Sequence, residues 1–544
     1  MFRIPENRST WAGYVLLMMV LAALTFSNLP DLRFDTHDNE FIVDGAHLLG
    51  HFSPALFFDN TAIQGRPTFN LYIWFAFKLY GQNPSGYHIL QAILHLLASL
   101  LLALSFKRLG TCFELSLIAG LLFLINVAHF RAVHWISATG YILALICGLL
   151  VLLMNHQALS TGRQKWLWGT IPAVMVAVFA HPSLIATTVF YPYLAWQHGR
   201  PIKETVYRTL PQFLTALTAI SFILFAYSDT PQIRAIVRTP GPIDLLQNLL
   251  WFWGRQLTTA HWLPESLQLD ISEAWELVVG ALFIAFSVLL SLRQKGPVRL
   301  WAIWAILLTL PFLTANLGDN ASGPSRYLYV ASAGTTLILT VGLNNLSQWI
   351  PARIRPLFMP VLLILLVASS WRSLKEAEAI SFYQSGRSYI AQGDIETGAL
   401  QFENAVAHHP LRVPPDGFFR LAAASFAGGI SPEAFLLKVR PHIPDKRHLD
   451  ILLHLCAYLK EDPENWDRLE HKVRDILNTG DASLLEETAR AYFNLGSYYQ
   501  RSDKLDRAVH LYTRTLRLLP DYPIALKNLG AALHSQGKLR PAID

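Results

Sequence analysis

Charge is scarce in this sequence. Only 15% of its 544 residues are Asp, Glu, Lys or Arg, against roughly 25% in an ordinary soluble globular protein. Hydrophobic residues make up 52%, and the mean hydropathy is +0.32. That balance excludes a plain water-soluble enzyme. Cysteine is scarcer still: of three in all, Cys112 and Cys147 fall in apolar stretches and Cys456 stands alone far downstream, so no disulfide framework is implied. A glycine-rich phosphate loop, a zinc-ligand cluster and a His-Glu-x-x-His helix are all missing. Aromatic residues are not in short supply, and at 12% they exclude intrinsic disorder. The formal net charge of +6 is scattered through short loops rather than gathered on one basic face. It therefore points to membrane topology and away from nucleic acid as a partner.

What the sequence does have is long apolar runs. From Trp11 to about Trp371 they alternate with short polar loops, whereas beyond Lys375 the chain is charged, alanine-rich and helical in period. Two domains are expected, 1–372 and 373–544. A spanning helix takes roughly 20 apolar residues. Eleven candidates are 11–29, 86–106, 112–128, 134–154, 166–180, 183–197, 209–227, 276–292, 300–315, 327–345 and 357–371. The first is not read as a removable signal peptide, because Asn28-Leu29-Pro30 lacks the small-residue cleavage pattern. The expected fold class is all-α: a polytopic transmembrane bundle of about 11 spans, then an α-solenoid.

Lys and Arg gather on the cytoplasmic side of short loops. With the N-terminus (Arg3, Arg8) inside, the returning loops carry Lys107-Arg108, Arg163/Lys165, Arg200/Lys203/Arg208, Arg293/Lys295/Arg299 and Arg353/Arg355. This parity requires 241–262, with Trp251, Trp253 and Trp262, to lie in the interface or re-enter rather than cross. The long loop 30–66 and the C-terminal domain then share the outer compartment.

The C-terminal domain repeats itself. "ARAYFNLGSYYQRSDKLDRAV" from Ala489 and "YPIALKNLGAALHSQGKLRPAI" from Tyr522 superimpose at a spacing of 34 residues, matching Ala491 with Ala525, Gly496 with Gly530 and Ala508 with Ala542. The period, with Pro520 closing the unit, resembles a tetratricopeptide repeat. Repeats are expected at 382–410, 489–520 and 523–544. Such solenoids bind peptides or partner proteins on a concave face, or simply stabilise and space a chain.

The membrane half has its own vocabulary. Loop 30–66 holds "FDTHDNEFIVDG". Arg66-Pro67 leads into "TFNLYIWFAFKLYGQNPSGYHILQAILHLL", "NVAHFRAVHWISATGYILAL" begins at Asn126, and "PFLTANLGDNASGPSRYLYVASAG" begins at Pro311. In this order they resemble the GT-C class of polytopic glycosyltransferases that use lipid-phosphate-linked sugars. The nearest branch is the one with a trailing tetratricopeptide domain, as in transmembrane O-mannosyltransferases and their bacterial relatives. The resemblance implies a catalytic base at Asp38, with Glu40 as its orienting neighbour, since Asn39 stands where a second acid is usual. It places the arginine-proline motif at Arg66-Pro67, the Tyr-His pair at Tyr87-His88 with His95, and the Arg-Tyr-x-Tyr element at Arg326, Tyr327 and Tyr329. Of the Asn-Pro-x-His-x-Glu-x-Val-x-Trp pattern, Asn126, His129, Val133 and Trp135 remain, with Val127 for Pro and Arg131 for Glu. His181-Pro182 replaces a Lys-Glu pair.

The implied activity is an integral-membrane, inverting hexosyltransferase that moves a sugar from a polyprenyl-phosphate donor to an acceptor hydroxyl. The acceptor is Ser/Thr of a protein docked on the repeats, or a glycan or lipid. Phosphate leaves without a strong acid, so one carboxylate suffices where glycosidases need two. Arg326 suits the phosphate, as a charge-assisted fork, with Arg66, Tyr327 and Tyr329 beside it at the phosphate or lipid. His88, His95, His129, Arg131 and His134 are candidates for acceptor or sugar. No cofactor is firmly implied, and no divalent metal is expected. The partners are the bilayer, the lipid-linked donor and an acceptor protein, and the implied location is a bacterial inner membrane.

Blander readings stand beside these. Asp38 shares its loop with Asp31, Asp35, Asp44 and Asp59 and can be merely solvated. His88 and His95 can hydrogen-bond between helices, and Arg326 can snorkel. At the level of function, an oligosaccharide ligase and a non-catalytic envelope scaffold remain as alternatives. The topology is testable: a reporter fused after Lys375 reads out the outer compartment, and a cytoplasmic signal overturns the span parity.

Overall fold

A computed structural model describes residues 6–27, 66–126, 129–226, 241–256, 273–294, 296–313 and 325–354. It also describes 29–53 apart from 33, 35–37, 39–41 and 44, scattered positions between 357 and 478, and 482–537 apart from 502. Helices are the secondary structure of the described residues, and the chain divides into two compact units, Met1–Ala377 and Glu378–Asp544.

In the first unit, α1 (Arg8–Thr25) starts where the Asn7 side chain accepts the Thr10 amide at 2.8 Å. A 3₁₀ turn (Leu29–Asp31) and the short α2 (Ala46–Leu49) follow. Then come α3 (Pro67–Tyr80) and α4 (Pro84–Arg108), each with proline in its first turn, where a missing N–H costs nothing. Lys107 and Arg108 end α4, favourably placed at the negative end of the helix dipole. α5 (Phe113–Leu124), α6 (Phe130–His134) and α7 (Thr139–Thr161) lead to α8 (Gln164–Ala180). The unit continues with α9 (Phe190–Gln197), α10 (Ile202–Ala226), α11 (Pro242–Arg255), α12 (Glu273–Arg293), α13 (Pro297–Thr309) and α14 (Ser325–Ser347).

Among the described residues, six helices are long and apolar enough to cross a bilayer by length and composition: α1, α4, α7, α10, α12 and α14. The chain is a multi-pass membrane protein. The expectation of about eleven spans is not matched at that length, for identifiable reasons. α5 and α13 are shorter apolar helices. The stretch 183–197 is not one helix but a 3₁₀ segment (Pro182–Val189) running into the eight-residue α9. There Thr187 and Thr188 turn their hydroxyls onto Leu184 and Ile185 carbonyls. The candidate 357–371 lies mostly outside the described residues. α11 covers the tryptophan-rich segment; its 14 residues make about 21 Å, short of the roughly 30 Å hydrocarbon core. Residues 257–262 of that segment lie outside the described residues.

Some polar groups inside the bundle pair from helix to helix, where water is absent. Asn155 of α7 and Gln212 of α10, both fully buried, exchange amide hydrogen bonds at 3.1 and 3.3 Å. Trp304 of α13 donates its indole N–H to the Val330 carbonyl of α14 at 2.8 Å.

In the second unit, α15 (Ala482–Arg501), α16 (Leu505–Leu518) and α17 (Pro523–Ser535) are the expected repeat helices. The small residues of the repeat, Ala491, Ala508 and Ala525, are buried. The expected repeat at 382–410 lies largely outside the described residues. A Cβ on Gly496 would sit 2.9 Å from the Tyr512 ring, so glycine is what lets α16 approach α15. Gly496→Leu overpacks this contact by roughly 1–3 kcal/mol and makes the repeat region of the full chain melt earlier and cleave faster in limited proteolysis.

Candidate functional site

Asp38 is buried although its loop is polar. Phe34, Ile42 and Leu49 anchor the loop in an apolar cluster with Phe69, Ile73 and Ala76 of α3, Tyr87 of α4 and Ile136. Ser85 ties the preceding turn by donating to the Pro30 carbonyl at 2.6 Å. Phe34 and Ile42 flank Asp38 at four residues on either side, so the anchors carry the carboxylate inward. It is fully buried, and its Oδ1 accepts two hydrogen bonds from Ser137, from the backbone N–H at 2.9 Å and from the hydroxyl at 2.5 Å. Charge-assisted bonds of this kind hold a carboxylate in one orientation. The merely solvated acid is thereby ruled out. Asn39 and Glu40, the latter expected to orient Asp38, lie outside the described residues.

Ser137 belongs to a turn that a second residue fixes. Gln91 of α4 donates its side-chain amide to the carbonyls of both Ala132 and Trp135 at 2.8 Å. This holds the stretch between α6 and α7, and with it Trp135, Ser137 and the start of α7. Sequence reading passed over Gln91. Its signal was available: a buried amide three residues after His88 and four before His95, on the same helix face.

Beside this turn two guanidinium groups lie among aromatic rings. Arg326 lies 4.8 Å over the Trp135 ring and 4.6 Å over Tyr327, and donates to the Tyr327 hydroxyl at 2.9 Å. Arg66, at the N-cap of α3, lies 5.5 Å from both the Phe69 and Tyr141 rings. Tyr141 and Tyr327 are 6.0 Å apart, and Phe312 stacks on Tyr327 at 5.1 Å. Gly140 is the aperture, since a Cβ there would meet the Arg66 Nη1 at 2.6 Å. Dehydration, and then the charge of Arg326, lower the Arg66 pKa, while Tyr141 and Tyr327 oppose the shift. A guanidinium stays protonated regardless. The cluster therefore concentrates two positive charges against aromatic faces, which favour cations.

Other expected site residues gather elsewhere. His95 of α4 bonds Tyr329 Oη of α14 at 2.7 Å and the Leu124 carbonyl of α5 at 3.0 Å. His129 bonds the Phe123 carbonyl at 3.1 Å and Ser332 Oγ at 2.6 Å. Both ring nitrogens of both histidines are thus engaged by the protein, and their rings pack on Phe123 and Tyr329. The expected ligand-binding roles of His95, His129 and Tyr329 give way to a knot that fastens α4, α5 and α14. His88 and His134 are buried, the latter edge-on to Phe26 at 6.1 Å. The side chain of Arg131 lies outside the described residues.

Residues 487–544 match the tetratricopeptide repeat family. No curated protein sequence is significantly similar to this chain. Among solved structures it is similar to the Archaeoglobus fulgidus oligosaccharyltransferase in the apo form, at 12% identity and a TM-score of 0.39, over 71% of this chain and 59% of that one. It is also similar to the archaeal oligosaccharyltransferase AglB from Archaeoglobus fulgidus in complex with an inhibitory peptide and a dolichol-phosphate, at 14% identity and a TM-score of 0.41, over 70% and 58%. The chain thus spans less than two thirds of the length of these proteins.

Burial first, and then the neighbouring His95, hold His129 well below the ordinary histidine pKa. The unfolded chain takes up a proton near pH 6.5 that the native state refuses. The contribution of His129 to stability is accordingly flat above about pH 6.5 and falls below it, by up to about 1.4 kcal/mol per pH unit. Thermal melts between pH 7.5 and 5 show this as a falling Tm, and His129→Asn flattens the slope.

Proposed function

We propose that this protein is an integral-membrane glycosyltransferase that moves a sugar from a polyprenyl-phosphate-linked donor to an acceptor hydroxyl on the outer side of the membrane. The observation that carries this reading is the joint placement of a buried, doubly hydrogen-bonded carboxylate and two guanidinium groups around one short segment. Residues 135–141 supply Ser137 to Asp38, Trp135 to Arg326, and Gly140 and Tyr141 to Arg66.

Asp38 takes the proton of the acceptor hydroxyl as its oxygen attacks the anomeric carbon. The bond from that carbon to the phosphate oxygen breaks, and the lipid phosphate leaves with the electron pair. Attack opposite the leaving group inverts the anomeric configuration. The phosphate passes from one negative charge to two, so Arg66 and Arg326 interact more strongly with the departing group than with the bound donor. That difference lowers the barrier. Tyr327 positions Arg326, and Trp135 and Tyr141 provide walls that leave the two cations room for an anion. The repeats bind an acceptor protein and, being tethered to the membrane half by the same chain, raise the local concentration of its Ser/Thr hydroxyls. On this reading the repeat domain lies in the same outer compartment as loop 30–66.

A scaffold has no use for a carboxylate taken out of water, whereas a general base gains a fixed orientation there. Asp38→Asn keeps the acceptor for Ser137 and removes the base. In a strain lacking the chain and complemented with this variant, the glycan restored by the wild type stays absent or falls by about 10²–10⁴ in rate, at unchanged protein level and Tm. Full restoration overturns the general-base assignment and favours the scaffold.

A further inference from the structure

A third residue completes the basic cluster. His181 follows α8 and caps the 3₁₀ segment, where its Nδ1 accepts the Ser183 backbone N–H at 3.3 Å and lies 2.8 Å from Ser183 Oγ. A backbone amide only donates, so Nδ1 presents its lone pair and the proton of the neutral ring sits on Nε2. The Ser183 contacts occupy the Nδ1 edge and leave the N–H on the other edge of the ring. That ring lies 4.6 Å from Tyr141 and 5.3 Å from Phe312. Tyr141 faces Arg66, and Phe312 stacks on Tyr327, the partner of Arg326. His181 is thus built into the same aromatic box as both guanidinium groups, from a part of the chain that neither of them comes from. Dehydration and the nearby charge of Arg66 hold its imidazole well below the ordinary histidine pKa, which keeps it neutral at physiological pH.

We propose that His181, through Nε2–H, is an uncharged third donor to the phosphoryl group that Arg66 and Arg326 hold. The proposal rests on the phosphate role given to those arginines above. A lipid monophosphate released in the reaction carries two negative charges on three terminal oxygens. Two guanidinium groups match the charge, and a neutral N–H serves a remaining oxygen without the excess positive charge that would hold the product in place.

The test is binding of farnesyl phosphate, with farnesol as the uncharged control, to the full-length protein in nanodiscs, for wild type and five variants. The wild type prefers the phosphate. His181→Leu and His181→Asn weaken phosphate binding by about tenfold or more and leave farnesol unchanged. His181→Gln, whose amide reaches the Nε2 position, stays within about threefold of wild type. Phosphate binding as tight in His181→Leu as in wild type, with Arg66→Gln and Arg326→Gln weakened, overturns the role of His181 and leaves the two-arginine site standing. A loss in His181→Gln as large as in His181→Leu overturns the assignment of the donor to Nε2. Equal binding of phosphate and alcohol by wild type and by both arginine variants overturns the phosphate site itself, and this proposal with it. Thermal melts on the same samples identify a variant that fails to fold, in which case the Asn and Gln pair decides.

Discussion

A carboxylate removed from water has to be compensated where it sits, and the arrangement of the membrane half follows from how Asp38 meets that demand. Its compensation is Ser137, which reaches it with both a backbone and a side-chain donor across 99 residues of sequence. For those donors to be in place the 132–137 turn must be rigid, and Gln91 holds two of its carbonyls. The loop must also be pinned, and Phe34, Ile42 and Leu49 do this against α3 and α4. Disturbing any one of these supports exposes the acid or leaves its charge unmatched.

The same turn governs the cationic side of the site. Two guanidinium groups brought together repel each other, and here the surroundings that soften this are ring faces: Trp135 and Tyr327 for Arg326, Tyr141 and Phe69 for Arg66. Aromatic quadrupoles stabilise a cation without neutralising it. Gly140 matters because the approach of Arg66 to α7 leaves no room for a Cβ. A residue with no side chain thus controls the position of a charged one.

The knot of His95, His129, Tyr329 and Ser332 has a different task. Interhelical hydrogen bonds in an apolar bundle are few and specific, and these set how α4, α5 and α14 meet. Arg326 and Tyr327 stand one turn or less from Tyr329 on the same helix, so the knot also fixes the position from which they join the cluster. Histidines that read as ligand-binding in the sequence thereby support the site from behind.

By itself the sequence determined the helical class, the division between an apolar half and a repeat half, and the residue types at Asp38, Arg66, Arg326 and Tyr327. These are properties of local composition, of period and of short motifs, and they need no knowledge of what lies opposite. Tertiary structure decided the rest. Asp38 among several acids, Gln91 among the polar residues of α4, Gly140 and His181 take their meaning from partners dozens to hundreds of residues away. Whether a histidine nitrogen is used by the protein or left for a ligand depends on which carbonyl or hydroxyl the packing brings to it. The same holds for span length: hydropathy marks an apolar stretch, but a run of 3₁₀ turns such as 182–189 is set by hydroxyls bonding back to the chain and by the helices around it.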